Sequence, residues 1–236
     1  ILVDAGYGQA GKISCNVLPA PAIYASTAND ECKTQNIAEA NRLLDAAGWK
    51  RGSDGIRQKD GVRISILYQT STNSVRQATQ AFIKEMWKQI GVETELRNIS
   101  ASVFFGSDPG SPDTYQKFYS DIEMYTNTFS GTDPEAYMAG WSCSEMPQKS
   151  NKWAGNNMPR WCNPAYDALA AKMSKTAALK DRIRMAKAMN DMLMQDYAMI
   201  PLIHRGGVSA HSNTISGVRM NEWDSELWNI ADWTRK

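Results

Sequence analysis

A strand, a long helix and a second strand follow one another between residues 63 and 96, and this succession constrains the architecture more than any other feature of the chain. Arg63 to Gln69 alternates, with Ile64, Ile66 and Tyr68 on one side. The helix runs from about Val75 to Ile90, with Ala78, Phe82, Met86 and Ile90 at four-residue spacing, and Gly91 closes it. Val92 to Leu96 forms the second strand, with Val92, Thr94 and Leu96 on one face. Two strands joined through a helix pair in parallel, because the connection has to cross over the sheet. Asp121 to Thr126 reads as a third strand, leading into the small polar run Asn127 to Thr132. The fold class is α/β.

Around this unit the chain alternates loops and helices. Residues 1–35 read as a short strand-like piece followed by loop, punctuated by Gly8, Pro19 and Pro21. Asn36 caps a helix, with Glu39 placed as in a capping box; Ile37, Ala40, Leu43, Leu44 and Ala47 share a face, and Gly48 ends it. Turns follow at 52–55 and 58–61. Ala101 to Phe105 is a short helix, and Asp108 to Thr114 is loop. Asp133-Pro134 opens a helix reaching about Trp141, with Asp as cap and Pro in the first turn, and Asn163-Pro164 opens another over Ala165 to Lys175. A longer helix, about Leu179 to Asp196, buries Ile183, Ala186, Met189 and Leu193. Ala198 to Ile203 reads as an apolar strand that Pro201 confines to an edge. Gly206 to Ala210 offers another strand, and the tail from Ser216 carries Trp223, Trp228 and Trp233.

The totals exclude several function classes. A formal net charge of +1, with no Lys/Arg run, argues against nucleic acid as the partner. No segment approaches the roughly 20 apolar residues needed to cross a bilayer. Ile1 opens the chain without a basic leader or an initiating Met, so the expectation is a piece cut from something larger. Four cysteines, at 15, 32, 143 and 162, allow three connectivities. The simplest pairs Cys15 with Cys32 and Cys143 with Cys162, each closing a local polar loop worth about 3 kcal/mol. That pairing places the protein in an oxidising compartment, periplasmic or extracellular. Buried free thiols and a metal site are the other readings.

Catalytic constellations are hard to find. His204 and His211 have no acidic neighbour in metal-ligand spacing and read as structural or exposed. Gly6-Tyr7-Gly8-Gln9-Ala10-Gly11 matches a dinucleotide fingerprint, but Pro19 and Pro21 follow where a helix is required. Asp121 and Glu123 point the same way on their strand and read as ordinary surface charge. Met185, Met189 and Met192 follow the helical period and read as core filling. The expectation is a protein that is not an enzyme, with no cofactor and no metal. A partner-binding module using the Trp tail and a small-amide hydrolase are the alternatives.

Several segments together resemble the family 5 extracellular solute-binding proteins, the oligopeptide-, dipeptide- and nickel-binding type. They are Ala38 to Trp49, Asp54 to Gly61, Ile90-Gly91-Val92, Asn163 to Asp167 and Asp196 to Leu202, in the family's order. The resemblance implies a periplasmic-binding-protein type II-like lobe with a mixed sheet flanked by helices. It further implies that residues 1–203 form the second ligand-binding lobe and that 204–236 is a tail returning to a missing first lobe. Such a protein captures a small-molecule or peptide ligand between its lobes and delivers it to an ABC permease. In α/β lobes ligands sit beyond the carboxyl ends of parallel strands. The candidate contacts are therefore Gln69 and Thr70 after the first strand, and Asn127, Thr128, Phe129 and Ser130 after the third. Peptide-binding members place an Asp four residues before the Pro; here that position is Ser130, and Asp133 is the helix cap.

Overall fold

The computed structural model describes residues 1–128, 131–221 and 224–236. Helix α1 (Leu2–Gly6) stands where a strand-like start was expected. Ile-Leu-Val favours strands, but α1 packs against a later helix closely enough that a Cβ on Gly6 would lie 2.9 Å from Val75 Cγ1. Tertiary packing overrides the local preference. Strand β1 (Gly11–Ile13) follows. Helix α2 (Ile37–Ala46) begins as expected: Asn36 Oδ1 accepts the Glu39 N–H at 2.9 Å. The Glu39 carboxylate turns to Arg42 instead of back to the cap, so only half of the capping box forms. Asn36→Ala should cost about 1 kcal/mol in urea unfolding; an unmoved midpoint would show that packing alone sets this helix start.

Strands β2 (Lys50–Arg51), β3 (Arg57–Lys59) and β4 (Val62–Arg63) form a small antiparallel sheet between the turns. They are too short for any periodicity to reveal. Asp60 and Gly61 join β3 to β4 with φ of 52° and 78°, the left-handed pair of a tight hairpin.

The parallel unit is present. Strand β5 (Ser65–Ser71), helix α3 (Ser74–Gln89) and strand β6 (Glu93–Ile99) lead through helix α4 (Ala101–Phe104) to strand β7 (Ile122–Met124). The sheet order is β6-β5-β7, and β5 runs parallel to both neighbours: Ser65 lies opposite Glu93, and Tyr68 opposite Ile122. The inner face of α3 differs from the one expected. Thr79, Gln80 and Ile83 are buried, whereas Ala78 and Phe82 are exposed. A step of four residues overshoots a full turn by about 40°, so Ala78 and Ile90 cannot share a face. The buried Gln80 repays its desolvation by donating to Tyr68 O (2.8 Å) and accepting from Asn98 Nδ2 (2.7 Å).

Helices α5 (Glu135–Ala139), α6 (Pro164–Met173) and α7 (Leu179–Gln195) make the second half of the molecule. Asn163 caps α6 through the Ala165 N–H at 3.0 Å, with Pro164 in the first turn. Their core joins Leu18, Tyr24, Trp141, Tyr166 and Leu193 to Met138, Met173, Met185, Met189 and Met194. The methionines are filling, as their spacing indicated. Asn190, fully buried on α7, accepts from Leu18 N at 3.3 Å and donates to Asn16 Oδ1 at 2.7 Å, tying the early loop to this core. Both loops are closed covalently: Cys15 pairs with Cys32 and Cys143 with Cys162, with Cα atoms 5.8 and 4.8 Å apart.

The strand expected at 198–203 starts only where it was expected to end. Strand β8 (Ile203–Arg205) pairs antiparallel with β1, Gly11 opposite Arg205. Pro201 has no N–H to give a ladder, and upstream of β8 the pairing fades to one Ser14 N–H on Leu202 O at 3.3 Å. Gly206 to Ala210 forms no strand; strand β9 (Ile215–Ser216) pairs instead with β10 (Thr234–Arg235).

Candidate functional site

The carboxyl ends of β5 and β7 lie side by side and bring the candidates Gln69, Thr70, Asn127 and Thr128 to one edge of the sheet. Gln69 and Thr70 are buried at the end of β5. Thr70 Oγ1 donates to Met124 O at 2.5 Å, and Gln69 Nε2 donates to Glu123 Oε1 at 3.2 Å. Past β7 the chain emerges: Asn127 and Thr128 are exposed, and Asn127 Oδ1 accepts the Thr128 N–H at 3.0 Å. Phe129 and Ser130, named with them as candidates, lie outside the described residues, as does Trp223. A broad cleft of about 2230 Å3 opens beside this edge, lined by β7, α3, the first residues of the chain and the segment 197–208. Several large apolar side chains stand exposed on that segment, among them Tyr197 (84%) and Val208 (78%).

Arg76, in the first turn of α3, reaches over the same edge. Its Nη1 donates to Ser71 Oγ at 2.7 Å and its Nη2 to Thr126 Oγ1 at 3.4 Å. Its guanidinium carbon sits 5.3 Å from the centre of the Phe105 ring. Sequence reasoning missed this residue, because one cation at a helix start has no pattern to announce it.

Glu123 overturns the reading of Asp121 and Glu123 as equivalent surface charges. Asp121 is exposed, and Oδ2 accepts the Leu67 N–H at 2.7 Å, fastening β7 to β5. Glu123 instead lies beside Ser120 (3.4 Å) and Gln69, withdrawn from solvent. Burial pushes its carboxyl up to about 8, opposed by hydrogen bonds from Ser120 and Gln69 and by the Arg160 charge. Its Oε2 is buried with no hydrogen-bond partner among the described residues, and the same holds for the Tyr125 hydroxyl and Gln116 Oε1. The signal lay in the register: Glu123 alternates with Ile122 and Met124 on a strand whose three residues are all partly buried.

Asp133 is committed elsewhere. It accepts the Glu135 N–H at 3.0 Å, and Arg182 Nε donates to its Oδ2 at 2.8 Å, which holds its carboxyl below the usual range. It is not the helix cap that was expected: the helical residues begin at Glu135, Pro134 occupies the cap position without a side-chain hydrogen bond, and Asp133 stands one residue before it. The glycines 6, 8 and 11 run from the end of α1 into β1, helix before strand, the reverse of a dinucleotide-binding turn. His204 sits on β8 with its pKa lowered by burial and by Lys12, and His211 is exposed. Among the described residues no three His, Cys, Asp or Glu side chains gather in a metal-holding group, and no helix is long and apolar enough to cross a membrane.

Comparison with known proteins adds to this geometry. A family model described as bacterial extracellular solute-binding proteins, family 5 Middle, matches residues 2–148, more than half of the chain. Protein XP55 of Streptomyces lividans is 30% identical over 139 residues, 57% of this chain and 22% of that protein. The probable peptide-binding protein YejA of Agrobacterium fabrum is 22% identical over 201 residues, 80% of this chain and 29% of that protein. The chain thus spans less than a third of the length of these relatives. Among solved structures, the oligopeptide binding protein from Thermus thermophilus complexed with pentapeptide superposes with a TM-score of 0.72 at 22% identity, over 86% of this chain and 35% of that one.

Proposed function

The chain belongs to the bacterial extracellular solute-binding proteins of family 5, and from that premise we propose that it forms the second lobe of a solute-capturing component of an ABC importer. Its fold is that of the type II periplasmic-binding proteins, and its relatives are binding proteins, not enzymes. In this reading residues 1–203 supply one wall of the cleft, and 204–236 returns to a first lobe that supplies the other. Closing the lobes buries a peptide or peptide-like solute, and the closed form is presented to the permease outside the cytoplasm. Asn127, Thr128, Phe129 and Ser130 touch the solute, with Gln69 and Thr70 holding the strand ends behind them.

The observation that carries this reading is the exposed strand edge at the mouth of the cleft, where Asn127 and Thr128 leave β7 with polar groups turned to solvent. Exposed Tyr197, Ile200 and Val208 on the facing segment suit burial against a further lobe. A solute that binds only the folded state raises its melting temperature by mass action. Thermal melts of the whole protein with short peptides, each beside its N-acetylated twin, test the assignment. Stabilisation by peptides of either kind supports it, and a preference for free amines shows that another acid replaces the one missing at Ser130. If no peptide shifts the transition, the solute is of another class.

A further inference from the structure

Two loops, 105–121 and 144–161, meet through a pair of withdrawn cations. Arg160 Nη2 donates to Gln116 O at 2.8 Å and to Lys117 O at 2.9 Å, and its Nη1 donates to Met158 O at 3.0 Å. Lys117 is buried, donates to Pro109 O at 2.7 Å and lies 4.1 Å from the centre of the Trp153 ring. Each loop also holds a bulky residue in the left-handed region, Phe118 with φ of 49° and Arg160 with φ of 56°. Such backbone persists only where its surroundings hold it. The Cys143–Cys162 disulfide fixes the ends of the second loop, so any release is confined between them.

Arg160 has no carboxylate among these partners, although Glu123 acts on it. Glu123 Oε1 accepts from Gln69 and Ser120, while its buried Oε2 has no hydrogen-bond partner among the described residues. Burial raises the Glu123 pKa and the Arg160 charge opposes that rise; burial lowers the Arg160 pKa and Glu123 opposes that fall. The other titratable groups acting on the two are phenols, Tyr115 and Tyr125 beside Glu123 and Tyr119 beside Arg160. Tyr115 and Tyr125 are raised by burial, so both stay neutral where Glu123 titrates. Asp121, two residues away on the chain, is exposed and bound to the Leu67 N–H.

We propose that Glu123 and Arg160 form a pH-sensitive latch: ionisation of Glu123 draws the Arg160 guanidinium off the Gln116 and Lys117 carbonyls and releases loop 114–120 from loop 146–160. While Glu123 keeps its proton it presents no charge, and Arg160 serves the carbonyls. Once the proton leaves, a carboxylate withdrawn from water holds a guanidinium more strongly than a neutral carbonyl does. Burial keeps the proton on up to about pH 8, so the latch is closed below that value and opens above it. The exchange leaves two carbonyls without their donor, so the open form is the less stable one. Phe118, Met158 and Pro159 of the two loops line the cleft together with Glu123, so opening alters its wall whichever solute it takes.

Hydrogen exchange of the whole protein, read by mass spectrometry from pH 6 to 9 and corrected for intrinsic rates, tests the latch. Protection of 114–120 and 146–160 should fall about tenfold for each pH unit up to 8 and level off above it, while α7 keeps its protection. Glu123→Gln should hold both loops at their low-pH protection throughout. Arg160→Gln should show them released already at pH 6, with no further step. Wild-type loops whose protection ignores pH overturn the proposal, as does a fall that α7 shares or that Glu123→Gln retains. If Glu123→Gln fails to fold, the decision passes to Arg160→Gln, where a step that persists overturns the latch and its loss supports it.

Discussion

Arg57→Met should destabilise the protein by about 3–5 kcal/mol, far more than the exchange of a surface charge. Arg57 is only 2% exposed, the most deeply buried charge among the described residues. Its guanidinium joins three elements: Nε donates to Ile90 O at 2.8 Å after α3, Nη1 to Trp49 O at 2.6 Å before β2, and Nη2 to Asn41 Oδ1 at 2.7 Å on α2. Methionine fills much of the volume but leaves these oxygens without their donors. Gly91 adds to the demand, because a Cβ there would sit 2.9 Å from Arg57 Cγ, with φ at +81°. Urea unfolding with an unchanged m-value reads the loss. Asp45→Asn is the control. Asp45 is 54% exposed, so its removal costs a small fraction of the Arg57 loss. Equal costs for the two variants would show that the ion pair, and not the backbone hydrogen bonds, carries the junction.

Glu123→Gln should raise stability, and by an amount that depends on pH. The folded state holds the Glu123 proton up to about pH 8, whereas a free glutamate releases it near 4.5. Between those values the unfolded chain has shed a proton that the folded one keeps, so stability falls as pH rises. The stabilising contribution is complete below pH 4.5 and gone above pH 8. The difference at pH 9 is on the order of 3 kcal/mol, or about 6–12 °C in melting temperature for a chain of this size. Gln keeps the shape and the contact with Ser120 but has no proton to lose. Melts at pH 5, 7 and 9 should show the wild type weakening relative to the variant at each step. Parallel curves would mean that Glu123 is hydrated when charged and its burial is relieved by local opening.

The parts of the fold legible in the sequence were those with a long, one-sided pattern. The unit from 65 to 99 and helices α6 and α7 were read within a few residues: Asn73 and Gly91 bound α3, Asn163 caps α6, and α7 shows itself by its apolar period alone. Reading failed where a pattern was too short or was set from a distance. Strands β2 to β4 span two or three residues each, and α1 is a helix because α3 packs against it. The face of α3 was misplaced because Phe82, the largest apolar residue on the expected stripe, lies outside while the polar Thr79 and Gln80 lie inside, bonded to neighbouring strands and to the helix itself. The site was half legible: the strand ends mark the cleft, but Arg76 and Glu123 acquire their character from elements far along the chain. Arg76 meets the hydroxyls of Ser71 and Thr126, and Glu123 is buried against the loop that ends at Ser120.

The pairing of β1 with β8 has a mechanical side. At the open end of that ladder the Gly206 N–H donates to Ala10 O at 2.5 Å, with the pairs Gly11–Arg205, Lys12–His204 and Ile13–Ile203 behind it. Tension applied between residues 10 and 206 therefore pulls on one rung at a time, a zipper opened from its mouth, and the force needed is that of a single backbone pair. Two residues past the last rung of β1 the load reaches Cys15, and the disulfide hands it straight to Cys32, so the intervening loop stays slack. The two segments thus meet in a joint that peels easily, set in front of a body that does not stretch.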